Sequence, residues 1–361
     1  MAKPRGRDLG LRFPGQPGPL NAITDVPGVL VGQTTLDGSM PGAAAPTVRT
    51  GVTAILPRGH SVDPVPVLAG TFALNGNGEM TGCHWIRDAG SFLGPVCITN
   101  THSVGIAHHA AVRWMIRHHA ATFGPDHIWA MPVIAETYDG VLNDINGQHL
   151  TEAHVLAALQ SAQGGPVAEG NTGGGTGMIC YEFKGGTGTA SRRIPVEGRD
   201  FHVGVLVQAN HGLRDWLTVL GEPVGQAMQH DRMMQREAGS IIVVIATDLP
   251  LRPDQLERVA RRASIGIGRS GTPGGNSSGD IFLAFSTAAP AAQGAFQTLT
   301  CLADAHLDPV YLATVEATDE AIINAMLAAC DMPTLKPAGR ICRAIDGQAL
   351  AGMLRGAGKC G

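Results

Sequence analysis

The chain has 361 residues, 44% of them hydrophobic and only 16% charged, which is enough apolar material for one large core or two ordinary ones. A net charge of −4 argues against a general nucleic-acid binder, and no apolar run approaches the roughly 20 residues needed to span a bilayer. The 49 glycines are spread between apolar runs while aromatics make only 4%, a pattern of tight turns and close backbone contacts rather than of disorder.

Seven cysteines (Cys83, Cys97, Cys180, Cys301, Cys330, Cys342 and Cys360) are widely spaced, with no Cys-x-x-Cys pair. That odd count fits reduced thiols in the cytoplasm better than a disulfide framework. Met1-Ala2-Lys3-Pro4-Arg5-Gly6-Arg7-Asp8 leads into no apolar stretch, so no signal peptide is expected.

In chain order, residues 1–20 are rich in Gly and Pro and are expected to wrap the surface. Residues 21–32 read as a turn leading into a short strand, and 51–57 and 66–74 as further strands. The loop 75–82 is dense in glycine and carries Asn75, Asn77, Glu79 and Thr81; it can bring backbone N–H groups against a ligand. Residues 95–100 read as a buried strand and 106–121 as a helix. The pairs His108-His109 and His118-His119 have no carboxylate at a matching helical spacing, so they read as surface or helix-end residues rather than metal ligands.

Residues 127–135 read as a strand that runs into Glu136, Tyr138, Asp139 and Asn143, a crowd of polar side chains at a strand end. A helix is expected over 151–162. The stretch 169–178 is the most glycine-dense. It lacks the Gly-Lys-Ser/Thr ending of a phosphate loop and the spacing of a dinucleotide fingerprint. Residues 176–183 and 187–194 read as a hairpin turning at Lys184-Gly185-Gly186. The strand 201–209 ends in Asn210-His211-Gly212, where an Asn can donate its amide to an oxyanion or simply serve a turn.

A helical or irregular stretch over 213–237 precedes Gly239-Ser240 and the apolar run Ile241-Ile242-Val243-Val244-Ile245-Ala246, which reads as a fully buried strand. Ser240 thus stands where a polar connector meets a core strand. There the chain can be cut without losing its core, and a new N-terminal amine would sit on a rigid element. Glycine before the serine allows close approach to the peptide, and a free α-amine with a pKa of about 7.7–8.0 suits a general base. The dipeptide alone reads first as ordinary loop chemistry.

A helix is expected over 254–264. Gly271-Thr272-Pro273-Gly274-Gly275-Asn276-Ser277-Ser278-Gly279-Asp280 then leads into a second core strand, 281–286. If that strand neighbours the Ser240 strand, Ser278 and Asp280 reach the nucleophile. Helices over 319–329 and 345–354 close the chain, with Pro333 between them. The order suggests a layered α+β architecture of sheets covered by helices.

Taken together these blocks resemble the DmpA-like family of L-aminopeptidases/D-esterases and β-aminopeptidases, over nearly the whole chain. The matching stretches are 21–32, 75–85, 99–105, 136–144, 169–177, 207–212, 239–248 and 276–280, in the family's order. The resemblance implies a four-layer αββα sandwich, similar to N-terminal nucleophile hydrolases but connected differently. It implies one domain, residues 1–361, that cleaves itself at Gly239-Ser240 into an α chain 1–239 and a β chain 240–361, assembled as a homotetramer of cleaved units.

By the same resemblance Ser240 is the nucleophile, Asn210 the oxyanion donor, and Ser278 with Asp280 the pair that orients the nucleophile or its amine. Family members carry Glu or Asp at that last place. Glu136 resembles the carboxylate that receives the substrate's amino group, and Tyr138 the tyrosine beside the site. The substrate is then a small peptide, amide or ester with a free amino terminus, and no metal, other cofactor, nucleic acid or membrane is expected. Rival readings are an ornithine acetyltransferase, which cuts before Thr rather than Ser, and an uncut, non-catalytic relative that binds a ligand through its glycine loops. A phosphate-ligand enzyme using the glycines of 173–177 ranks third.

Overall fold

Alternation along one strand lays out the architecture. In the computed structural model, residues 241–246 are buried on both faces. Ile241, Val243 and Ile245 pack towards helices, whereas Ile242, Val244 and Ala246 pack towards a second sheet. The structure describes residues 3–38, 47–125, 128–237, 239–288 and 298–361.

The first half of the chain supplies β1 (Leu30–Gly38), β2 (Val48–Leu56), β3 (Val67–Ala73), α1 (Cys83–Ala89), β4 (Ser91–Phe92), β5 (Val96–Asn100), α2 (Val104–His118), α3 (Ala120–Phe123), β6 (Val133–Thr137) and α4 (Glu152–Gln160). There follow β7 (Ile179–Cys180), β8 (Phe183–Lys184), β9 (Gly186–Val196), β10 (Arg199–Asn210), α5 (Val224–Ala227), β11 (Ser240–Thr247), α6 (Pro253–Arg269), β12 (Ile281–Ser286), α7 (Asp308–Ala328) and α8 (Gly347–Gly356).

Two sheets carry the fold, one of four strands in the order β1-β2-β5-β6 and one of six in the order β4-β3-β12-β11-β10-β9. Their facing sides bury Ile55, Ile98 and Ala135 against Leu206, Val244 and Leu283. On the outer face of the four-stranded sheet, Ala54, Cys97 and Ile134 meet Ala107 and Ala111 of α2 and Val155 of α4. On the outer face of the six-stranded sheet lie Val259 and Ala263 of α6 and Ala317 and Ala321 of α7. The layers therefore run helix, sheet, sheet, helix, as the α+β reading expects.

The helix α7 is buried on almost every side, charged residues included. Arg192 and Arg7 meet Glu320 at 2.7 and 2.9 Å. Asp319 has no such partner, its Oδ1 is buried without a hydrogen bond among the described residues, and burial pushes its carboxyl up to about 7.

Two expectations change. The hairpin over 176–194 does not form. Instead β9 pairs with β10 through a turn at Glu197-Gly198, both at positive φ. Gly185 and Gly186 are glycines for packing, since a side chain at either would collide with the carbonyl of Ala209 or of Gly170. The strand expected over 127–135 starts only at Val133, after Pro132 and in register with Val96 of β5; His127 lies outside the described residues. His119 stands at the end of α2, one of the two placements expected, and is buried there with Nδ1 2.8 Å from the carbonyl of Val62.

Candidate active site

The site forms at one end of the two sheets. β10 and β11 run antiparallel and their last pair is Asn210 with Ser240. β12 runs parallel to β11 from Ile281, so the loop before β12 arrives beside Ser240. There the N–H of Gly279 donates to Ser240 Oγ at 3.0 Å. Ser240 is nearly buried, at 6% exposure. Just before it, Gly239 sits so close to the Asn210 carbonyl and His211 Cα that a side chain at 239 would collide with them.

Two backbone groups of opposite kind fix the amide of Asn210. Oδ1 accepts from the N–H of Ile179 at 2.8 Å and Nδ2 donates to the carbonyl of Tyr138 at 2.9 Å. The second hydrogen on Nδ2 has no partner among the described hydrogen bonds. Ser278 Oγ donates to Asp280 Oδ1 at 2.5 Å, and Asn75 Nδ2 donates to Asp280 Oδ2 at 3.1 Å. Burial raises the Asp280 carboxyl above its usual range, and these two hydrogen bonds pull it back.

Glu136 stands at the end of β6, buried. The N–H of Glu79 donates to its Oε1 at 3.0 Å and Thr101 Oγ1 donates to its Oε2. Burial raises its pKa, and the Thr101 and Glu79 bonds oppose that. A methyl group at Gly78 would lie 3.2 Å from Glu136 Oε1 and 3.3 Å from Gly279 Cα, so the carboxylate and the loop holding Ser240 flank one residue.

Tyr138 is exposed, and it lines a cavity of about 90 Å³ with Ile179, Asn210, His211, Glu237 and Gly239. Burial holds His211 neutral, with a pKa lowered to about 3. Among the described residues, no group of three or more His, Cys, Asp or Glu side chains is arranged to hold a metal ion.

The candidate site residues Glu136, Tyr138, Asn210, Gly239, Ser240, Ser278 and Asp280 therefore lie together at this sheet end. Sequence reading did not find the Gly279 N–H, the Asn75 and Thr101 contacts, or Glu237. The loops 271–280, 75–82 and 99–105 pointed towards the first three in turn; nothing in the sequence pointed to the last.

The Peptidase family S58 model matches residues 21–338. The chain belongs to peptidase family S58. It is 49% identical over 347 residues to the β-peptidyl aminopeptidase BapA of Sphingosinicella microcystinivorans, covering 90% of this chain and 86% of that one. Among solved structures it resembles the L-aminopeptidase D-Ala-esterase/amidase of Ochrobactrum anthropi, described as a prototype serine aminopeptidase and a variant of the Ntn hydrolase fold. The TM-score there is 0.95 at 57% identity, over 99% of this chain and 100% of that one. A β-aminopeptidase of Burkholderia sp. follows with a TM-score of 0.88 at 47% identity, over 98% and 99% of the two chains. This S58 chain is thus a hydrolase of the serine aminopeptidase class with an Ntn-type αββα fold.

Proposed function

We propose that this S58 chain is made as a precursor, cuts itself between Gly239 and Ser240, and then uses Ser240 to release N-terminal residues from small peptides, amides or esters. The observation that carries this reading is the placement of Ser240. It opens a buried strand, takes a hydrogen bond from Gly279, and faces Asn210 across the ladder. The residues 1–239 and 240–361 then form the α and β chains of one αββα domain.

In hydrolysis the substrate's ammonium binds Glu136, which explains attack at the first residue, since only that residue carries the charge. Ser240 Oγ attacks the first carbonyl while its proton passes to the new α-amine of Ser240, whose pKa suits a general base. The Nδ2–H of Asn210 left free by Tyr138 stabilises the oxyanion. The proton then goes to the leaving amine, and water hydrolyses the acyl-enzyme to the free amino acid. Ser278, tied to Asp280, orients the nucleophile or its amine.

The names of the relatives support β-amino-acid and L-amino-acid amides as the substrates to try. Family resemblance supports a homotetramer of cut units. Seven free cysteines support the cytoplasm, and no helix among the described residues is long and apolar enough to cross a membrane. The test is the mass of the purified protein under denaturing conditions. Two chains, the smaller beginning Ser240-Ile241-Ile242, are expected; a single chain after prolonged incubation refutes self-cleavage.

A further inference from the structure

Besides the exposed bonds of Gln229 and Arg232 to Asp215, three anchors pin the segment leading to Ser240. Arg214 Nη1 donates to the carbonyls of Met228 and His230 at 2.6 and 3.0 Å. The N–H groups of Met233 and Met234 donate to Glu182 Oε2 at 2.6 and 2.9 Å. Both Arg214 and Glu182 are buried, so these anchors belong to the body of the protein. The third anchor is nearest the cut: the N–H of Gly212 donates to Glu237 Oε1 at 2.7 Å. The other carboxylate oxygen lies against Gly275, where any side chain at 275 would collide with it.

The third anchor has a particular geometry. Gly212 stands two residues beyond Asn210, and Asn210 is the cross-strand partner of Ser240. The Glu237–Gly212 bond therefore ties the chain just before the scissile peptide to the strand opposite the serine. Gly239, between Glu237 and Ser240, lies pressed against the Asn210 carbonyl and His211 Cα. Without the tie, the described hydrogen bonds hold the half-buried Glu237 at no point between Met234 and the ladder that begins at Ser240.

We infer that Glu237 is a positioning residue for self-cleavage: its carboxylate, held by the Gly212 N–H, keeps the Gly239 carbonyl against β10 within reach of the Ser240 hydroxyl. This rests on the reading that the chain cuts itself at that bond. In the cut, a bond forms from Ser240 Oγ to the Gly239 carbonyl carbon as the Gly239–Ser240 C–N bond breaks. The hydroxyl proton passes to the leaving nitrogen, giving an ester and a free amine. One water then hydrolyses the ester, leaving the Gly239 carboxylic acid and restoring the hydroxyl. Glu237 exchanges no proton in these steps and acts only through the backbone it holds.

The test follows the fraction cut with time in freshly made full-length chain, on denaturing gels, for wild type, Glu237→Ala and Glu237→Gln. Glu237→Ala is expected to slow cutting about ten- to hundredfold, the effect of losing one hydrogen bond to a charged acceptor. Glu237→Gln keeps an oxygen that accepts from Gly212 and should stay within about threefold of wild type. Foldedness is read from melting of the same variants in an uncut Ser240→Ala background. If Glu237→Ala melts poorly there, Glu237→Met replaces it, with similar bulk and no acceptor. Wild-type cutting in the Ala or Met variant overturns the inference. So does a Gln variant as slow as Ala, because that would make the charge, not the acceptor, the active property. An uncut wild type instead sinks self-cleavage itself, a result distinct from a cut wild type whose variants keep pace with it.

Discussion

Asn210 and Ser240 face each other as the terminal pair of the β10–β11 ladder. The Asn210 amide spans that end of the fold, accepting from Ile179 and donating to Tyr138. Both of its ends are thus committed to backbone groups, and its orientation is settled before any substrate arrives. Asn210→Asp should be nearly as damaging as Asn210→Ala, although it is almost isosteric. The carboxylate oxygen replacing Nδ2 would face the Tyr138 carbonyl, acceptor against acceptor. Each variant should lose about 100- to 1,000-fold in kcat, the usual cost of one oxyanion donor. Hydrolysis of an amino-acid p-nitroanilide, normalised to cut chain, measures this; an Asp variant with near-normal kcat would remove Asn210 from the mechanism.

Ser240 carries two roles in the proposal, and one substitution tests both. Ser240→Ala should give a single uncut chain with no amidase activity, because the hydroxyl is the nucleophile of self-cleavage and of catalysis alike. Intact mass and a chromogenic amide assay decide it. An active Ser240→Ala protein would exclude the mechanism.

Glu136 is read as the receiver of the substrate's ammonium, and only its ionised form attracts that charge. Burial raises its pKa, with the Thr101 and Glu79 hydrogen bonds opposing. As pH falls through that raised value, the carboxyl takes a proton and loses its hold on the ammonium. The kcat/KM of the wild type should therefore drop on the acid side. Glu136→Gln should be lower by about tenfold or more, the loss of one charge-assisted contact, and should lack the part of that fall caused by Glu136, keeping only the part from protonation of the Ser240 amine. A Gln variant with an unchanged KM would move the amine site elsewhere.

Gly239 has no room for a side chain, since a Cβ there meets the Asn210 carbonyl. Gly239→Ala must push β10 and the start of β11 apart, an overpacking cost of about 1–3 kcal/mol. In the uncut Ser240→Ala background it should lower the melting temperature, and with Ser240 present it should slow the cut. Unchanged melting and unchanged cutting together would contradict this close approach.

The buried carboxyl of Asp319 makes a pH prediction about stability rather than activity. Its folded pKa of about 7 lies above the value of about 3.9 in an unfolded chain. Between the two, the folded state keeps a proton that the unfolded state has lost. Stability from this group is therefore full below the unfolded value, falls as pH rises through the window, and stays low above the folded pKa. Asp319→Asn has no such proton, so the melting temperature of wild type relative to the variant should decline from pH 5 to pH 8. Melting curves across that range are the check; a difference independent of pH would show that the carboxyl does not titrate in the window.

The sequence alone carried the run 241–246, whose unbroken apolar character has only one comfortable home, a strand covered on both faces. It also carried the strand-end positions of Glu136, Asn210 and Asp280, because each follows or precedes such a run. It misjudged the turn at 184–186, since glycine looks the same whether it bends the chain or lets another backbone approach. Only the tertiary structure decided which groups meet. Gly279 reaches Ser240 across 39 residues, Thr101 reaches Glu136 across 35, Glu237 reaches Gly212 across 25, and Asn75 reaches Asp280 across 205. Those partners are chosen by strand order and register. The parallel pairing of β11 with β12 brings the 271–280 loop to the serine, and the antiparallel pairing with β10 brings Asn210 and Gly212. Local propensity specifies a strand and its faces; which strand lies beside it is set by burying two sheets and their helices together, a condition that no short stretch of sequence contains.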